Sequence, residues 1–355
     1  MCLRTIVPVL AAALLVSGCS GTESRTLEGA AAQIYPGECA DGIGRSVTVY
    51  AGRSENLIGP PLEAFACETG TEVETRWGSS TDLALLLAEE GDRTAADVFL
   101  SRSPGPVGFL EGQGLLGTIA AEVLDLSSPQ NRSKSGTWVG FSGRQRVLVH
   151  NLDSVTGADL PQSVFDLTDD RYRNRVAIPA TNGSFLDWFT VFRDQHGTGA
   201  ATQWLDDMVA NGARYYPNNR SIVEAAGRGE IDMGLVNHYY QYQEAAAAGD
   251  SHRAANHNFA DDDIGSLLII TAATVMAASN NEGSANDLIA YLLSEPVQRY
   301  LTDQTLEYPL AAGVAPAAVL PPLSALEIGT VDFDALGGGF TESLAIVEAS
   351  GILNE

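Results

Sequence analysis

Apolar and polar positions along this 355-residue chain fall into two rhythms that trade places. Short apolar runs, several rich in β-branched residues, recur at 46–50, 73–77, 97–100, 176–179, 213–216 and 233–236. Between them, longer stretches carry apolar residues at helical spacing, at 57–67, 80–90, 107–113, 185–195, 202–210, 222–226 and from 239 onward. A strand followed by a helix, repeated, predicts parallel sheets covered on both faces. Two longer extended stretches, 138–150 and 264–278, break the rhythm and suit crossings between units. Neither offers the ~18 consecutive apolar residues of a membrane span. Helices at 285–293, 297–302 and 340–349 close the chain. The pattern therefore predicts an α/β protein of two lobes, each a mostly parallel sheet flanked by helices, joined by two extended hinge crossings. Lobe 1 is expected over 45–143 plus 268–320, and lobe 2 over 144–267 plus 321–355.

The N-terminus follows a different rule. Residues 1–18 read as a signal peptide, with Arg4 ahead of an apolar run at 6–16 that is too short to span a bilayer. Val16-Ser17-Gly18-Cys19 resembles a bacterial lipobox, so Cys19 is expected to carry lipid and to hold the mature chain on the cell membrane from outside the cytoplasm. Residues 19–44, rich in Gly, Ala, Ser and Thr, read as a flexible tether. Outside the cytoplasm, the two cysteines that remain beyond Cys2 and Cys19, Cys39 and Cys67, are expected to form a disulfide.

Charge and missing motifs narrow the function. Acidic residues outnumber basic ones 45 to 20, a net charge of −25 that repels phosphate backbones and argues against nucleic acid. Lys134 is the sole lysine and lies in no glycine loop, which argues against a P-loop and a Schiff base. No GxSxG, HExxH or GxGxxG occurs, and Asp261-Asp262-Asp263 lacks EF-hand spacing and reads as an acidic turn. A binding protein is expected, not an enzyme.

The chemistry concentrates where the strand at 233–236 ends and Asn237-His238-Tyr239-Tyr240 follows at once. Strand carboxyl ends are where open α/β sheets bind ligands. Two adjacent phenols there either cap a helix and pack on the sheet or present two phenolate oxygens to one cation. Tyrosine ionises near pH 10, so holding one phenolate at neutral pH costs roughly 4 kcal/mol. A structural zinc site binds with roughly 10–16 kcal/mol, so a cation of that strength or more is required, and ferric iron is the natural candidate.

The chain resembles the ferric-ion-binding periplasmic proteins that feed ATP-driven importers. The landmarks are Val49-Tyr-Ala-Gly-Arg-Ser-Glu55, Ala96-Asp-Val-Phe99, Phe141-Ser-Gly-Arg-Gln-Arg-Val-Leu-Val-His150, Thr181-Asn-Gly-Ser-Phe185, Asn218-Asn-Arg-Ser-Ile-Val223, Gly229-Glu-Ile-Asp232, Leu235-Val-Asn-His-Tyr-Tyr240 and Glu307-Tyr-Pro-Leu310. The resemblance implies a two-lobed, type II periplasmic-binding-protein fold. It implies Fe(3+) as the transported ligand on Tyr239 and Tyr240, with carbonate or phosphate as synergistic anion and the lobes closing over the metal. It also implies an ABC transporter permease as partner, and a monomer is expected. Position by position, the anion cradle falls on Asn182, Gly183 and Ser184 at a helix start, with Asn219 and Asn237 as amide donors and Arg144 as a fork for the anion.

The first lobe departs from the family pattern. Ser54 stands where relatives have a histidine, Arg102 where an acid or amide is expected, and His150 where many have a third tyrosine. His150 is a candidate third metal ligand, Arg53 and Arg102 are candidates for the anion, and Glu55 is a candidate first-lobe carboxylate. The arginines leave open an alternative with the same fold: an organic anion such as a phosphonate, or an anionic iron chelate, as cargo.

Overall fold

The computed structural model describes residues 25–260, 262–326 and 339–354. The expected signal peptide, Cys19 and Asp261 lie outside the described residues. Among the described residues ten strands form one sheet, eight of them in the order β2-β1-β3-β9-β4-β7-β5-β6, with β10 and β8 pairing on β4 off that path. In one lobe, β1 (Ser46–Ala51) lies parallel between β2 (Glu72–Trp77) and β3 (Val98–Ser101). In the other, β5 (Val176–Ile178) lies parallel between β6 (Arg214–Tyr215) and β7 (Met233–Asn237).

The crossings do more than connect. β4 (Trp138–Asn151) is buried along its whole length. Its first part, to Gln145, pairs antiparallel with β9 (Leu268–Val275), and from Arg146 it pairs antiparallel with β7 and then with β8 (Ala254–His257). Each lobe is therefore a parallel core extended by antiparallel crossings, a mixed sheet rather than a mostly parallel one. Short β8 and β10 (Tyr308–Pro309) lack any alternation a sequence pattern could register.

Helices cover both faces. α2 (Glu55–Thr69), α10 (Glu282–Leu292) and α11 (Glu295–Thr305) close a core around Val47, Val49, Phe65 and Leu288. α3 (Ser80–Glu90) and α4 (Pro104–Gly112) follow β2 and β3. In the second lobe α6 (Gly183–His196) and α7 (Thr198–Ala210) bury Phe185, Trp188, Phe189, Phe192 and Trp204 in stacked, tilted and edge-to-face contacts, with ring centroids 5.3 to 6.5 Å apart. α8 (Asn219–Gly227) and α9 (His238–Ala248) flank β7, and α12 (Phe340–Ala349) returns to α6 through Ser343 Oγ and Thr190 Oγ1, 2.8 Å apart. Among the described residues no helix is long and apolar enough to cross a membrane.

The stretch read as a tether departs from that expectation in its described part. Residues 29–34 form α1 (Gly29–Ile34), which buries Ala31 and Ile34 against the first-lobe core. A bridge joins Thr26 to Glu38. Alanine-rich sequence here makes a helix because Cys39 is bonded to Cys67 on α2, which holds the segment against the lobe. The bond closes a separation of 28 residues, worth roughly 3 kcal/mol by loop entropy. Urea unfolding of the Cys39→Ala/Cys67→Ala variant should show a loss of about that size.

Candidate metal centre

Four parallel strands point their carboxyl ends at one cleft, and that topology gathers the site. β1 ends at Ala51 and delivers Arg53 and Ser54; β3 ends at Ser101 and delivers Arg102. β5 leads into Asn182-Gly183-Ser184, and β7 ends at Asn237 and delivers Tyr239 and Tyr240. Arg53, Ser54, Arg102, Arg144, Asn182, Ser184, Asn237, Tyr239, Tyr240 and Glu307 line a cavity of about 240 Å³ together with Gln243 and Thr305.

Tyr239 and Tyr240 occupy the first turn of α9, with ring centroids 4.3 Å apart at 33°. Burial pushes the Tyr239 phenol well above its ordinary value, Tyr240 adds to the rise, and the Arg144 guanidinium opposes it. Arg220 lies over the Tyr240 ring at 5.7 Å and ties α8 to α9 by donating to Gln243 at 3.0 Å and to Glu244. Two hydroxyls side by side in a cleft suit a single hard cation. Both tyrosines line the cavity, and the Tyr240 ring also packs against the aliphatic cluster around Val223 and Val236.

His238, just ahead of the pair, holds α9 in place. The Gln145 amide donates to its Nδ1 at 3.1 Å, so Nε2 carries the proton and donates to Leu306 O at 2.8 Å. Its ring stacks on Tyr308 at 4.8 Å, and burial holds it neutral, its value pulled down to about 4. The histidine thus ties the tyrosine turn to β4 and to the end of α11 across the cleft.

Arg146 is the residue that sequence reading missed. It is fully buried behind the cavity, and its Nη1 donates to Asn237 Oδ1 (3.1 Å), Asn219 Oδ1 (3.3 Å) and Ser184 Oγ (3.5 Å). Its guanidinium lies over Phe185 and Trp188. Burial lowers it to about 9, with Asp187, Tyr239 and Tyr240 pulling the other way, so it stays a cation at neutral pH. Its spacing of two from Arg144 on a strand, which puts both on one face, was the available signal.

The expected anion cradle spends most of its donors on itself. Asn182 caps α6, and its Oδ1 accepts from the Ser184 amide (3.1 Å), the Ser184 hydroxyl (2.7 Å) and Asn219 Nδ2 (3.1 Å). Asn219 Nδ2 also donates to Ser184 Oγ at 3.2 Å, and its Oδ1 accepts from the Asn237 amide at 3.0 Å. Asn219 is 1% exposed and does not line the cavity, so it positions Asn237 and Ser184 rather than touching a ligand. Gly183, at the head of α6, leaves room for the Arg102 head: a Cβ there would meet Arg102 Nη2 at 2.6 Å, and the guanidinium would have to shift. Arg102 from the first lobe therefore lies over the α6 N-terminus of the second.

Two further expectations are corrected by position. His150 lies four residues beyond Arg146 on β4, roughly 13 Å along the strand, paired with Met233 at the far end of β7. It is buried beside β8, its charge disfavoured by burial and by His257, and it does not line the cavity. It is a packed strand histidine, not a third ligand. Glu55 is exposed on the first turn of α2 and likewise does not line the cavity, because its side chain points outward while Ser54 faces in.

The cavity's carboxylate is Glu307. Its Oε1 accepts from Arg53 Nη2 at 2.9 Å and its Oε2 from Ser142 Oγ at 2.6 Å. Burial alone would raise it, but Arg53, Arg144 and the Ser142 hydroxyl outweigh that and hold it below the ordinary carboxylate value. Both members of the Arg53–Glu307 pair are almost fully buried, with side chains 6% and 5% exposed. Removing one leaves the other charged and unpaired, so Glu307→Ala should cost about 3–5 kcal/mol in urea unfolding.

The sequence profile of the bacterial extracellular solute-binding proteins matches residues 93–334. The major ferric iron-binding protein of Neisseria meningitidis serogroup A is 31% identical over 284 residues, 79% of this chain and 86% of that protein. Iron uptake protein A1 of Synechocystis is 25% identical over 317 residues, 86% of this chain and 87% of that protein. Among solved structures, iron-bound HitA from Pseudomonas aeruginosa superposes with a TM-score of 0.77 at 31% identity, covering 86% of this chain and 99% of that one.

Proposed function

The chain belongs to the bacterial extracellular solute-binding proteins, and from that premise we propose that it captures ferric iron between its lobes and delivers it to an ABC transporter permease. The observation that carries this reading is the pair of phenols at the carboxyl end of β7, ring to ring in a cleft ringed by arginines. Tyr239 and Tyr240 are the metal's protein ligands. A hard trivalent ion takes about six oxygen donors, so an exogenous anion fills the rest of its shell, with carbonate and phosphate the smallest that fit. The anion is held by Arg144, Arg53, Arg102, Asn237, Ser184 and the Gly183 amide.

Closure is the signal. Arg102 over the head of α6 and His238 on Leu306 join the lobes across the cleft, and contacts of this kind favour the closed form when the ligand is in place. Cys19 at the lipobox would keep the protein beside its permease as a membrane-anchored lipoprotein.

The test begins with iron-free protein. Ferrous salt is oxidised in air in the presence of protein and an oxygen anion. Phenolate-to-iron charge transfer should give a visible band that saturates at one iron per chain. A colourless titration, together with tight binding of an iron-free phosphonate, would replace this reading with the organic-anion one.

A further inference from the structure

The end of α11 carries a backbone outlier. Among the described residues, three that are not glycine have a positive φ: Asn174, Asp262 and Leu306. Asparagine and aspartate tolerate that region because a short polar side chain bonds locally, whereas leucine has no such bond to make and its Cβ crowds the next carbonyl. Leu306 ends α11 at φ 59° and ψ 25°, and it stands between Thr305 and Glu307, both of which line the cavity. Helix α2 makes the same left-handed ending on Gly70, where no Cβ is in the way. A side chain kept in an unfavourable backbone region beside a binding site points to a task for that turn.

The task is visible in where the last carbonyls of α11 go. The final carbonyls of a helix have no partner inside it. Here two of them are taken by α9, in the other lobe. His238 Nε2 donates to Leu306 O at 2.8 Å, and Gln243 Nε2 donates to Thr305 O at 3.2 Å. The left-handed turn thus sets Leu306 O beside Thr305 O on the side that faces the second lobe. Gln243 is held from both ends. Its Oε1 accepts from Arg220 Nη2 at 3.0 Å, and because a guanidinium only donates and a carbonyl only accepts, one orientation of the amide serves both. His238 is buried and does not line the cavity. Gln243 is half-buried and does line it, three and four residues after Tyr240 and Tyr239 and so on their face of α9. It therefore bridges the lobes beside the tyrosine pair.

Resting on the ferric reading above, we propose that Gln243 is a positioning residue that governs how fast iron leaves, by capping α11 across the closed cleft. It supplies no donor to the metal, since its oxygen is taken by Arg220 and its nitrogen by Thr305 O. It ties α9 to the end of α11, and the lobes part only after that bond breaks. Leu306 keeps the acceptors turned toward α9. Because the bond joins two lobes, it forms only once they have met, so it acts on release and not on capture.

The experiment uses Gln243→Met, which keeps the length of the side chain and removes both of its hydrogen bonds. Iron-loaded parent and variant are mixed with excess chelator, and loss of the phenolate-to-iron band is followed by stopped flow. The variant should lose its iron about three- to ten-fold faster, the effect of one hydrogen bond of ordinary net worth. Its capture rate, the position of its band and its urea midpoint without iron should match the parent's. Equal release from the two proteins overturns the proposal while the ferric reading stands. A shifted or weakened band at equal iron loading also overturns it, because Gln243 then belongs to the metal's own shell. Faster release with a lower urea midpoint in the apo-protein overturns it too, since the fold as a whole is then loosened. No band in the parent overturns the ferric reading itself, and the role of Gln243 with it.

Discussion

Tyr239→Phe should lower ferric-iron affinity at least a hundred-fold and erase most of the visible band, while the apo-protein unfolds at nearly the same urea concentration. The asymmetry follows from where the hydroxyl sits. The ring is half-buried at the start of α9 and lies tilted on Tyr240 at 4.3 Å, and phenylalanine keeps all of that surface. What is lost is one hydroxyl beside the Tyr240 ring, worth no more than about 1 kcal/mol in the apo-protein. On the proposed ferric reading the same oxygen is one of the two phenolate donors from the residues lining the cavity. Removing an outer-shell partner of a ligand commonly costs 10–100-fold in metal affinity, so removing the ligand itself costs more. Iron bound per chain, measured by equilibrium dialysis against a competing chelator, checks this. Undiminished iron in Tyr239→Phe would return the pair to a packing role.

The architecture was legible because the two hydrophobic periods alternate cleanly, and strand followed by helix leaves few topologies open. The tyrosine pair was legible for a related reason: β7 is five buried residues ending at Asn237, so whatever follows it stands at a strand carboxyl end. Contacts between distant segments were not legible. Glu307 meets Arg53 across a separation of 254 residues, and no local pattern announces that pairing. His150 and Arg146 share one apolar strand with nothing in their spacing to show that one end faces the cleft and the other is covered by β8. The asparagines misled in a subtler way. Side chains that donate amides look like ligand contacts until their partners are known, and Asn219 has given both its nitrogen and its oxygen to Asn182, Ser184, Asn237 and Arg146.

The second large effect is on pH, and its sign is fixed by which groups titrate. Tyrosine ionises near pH 10, and burial pushes Tyr239 higher still, so the metal must displace a proton from each phenol it binds. Apparent affinity therefore rises with pH by about ten-fold per unit for each phenol, or roughly a hundred-fold per unit for both. Neither Arg146 nor His238 cancels this in the neutral range. Arg146 remains charged below its value of about 9, and His238 remains neutral above its value of about 4. With free ferric ion fixed by a competing chelator and the anion's own titration subtracted, a plot of log affinity between pH 6 and 8 should have a slope near two. The slope should drop to one in Tyr240→Phe, which releases a single proton. A flat plot for the parent protein would mean the phenols bind without ionising. Iron would then require some other source of negative charge in the cleft. The steepness also bears on release. A drop of one pH unit at the membrane would loosen the metal a hundred-fold without any change in the arginines that hold the anion, so metal and anion need not leave by the same trigger.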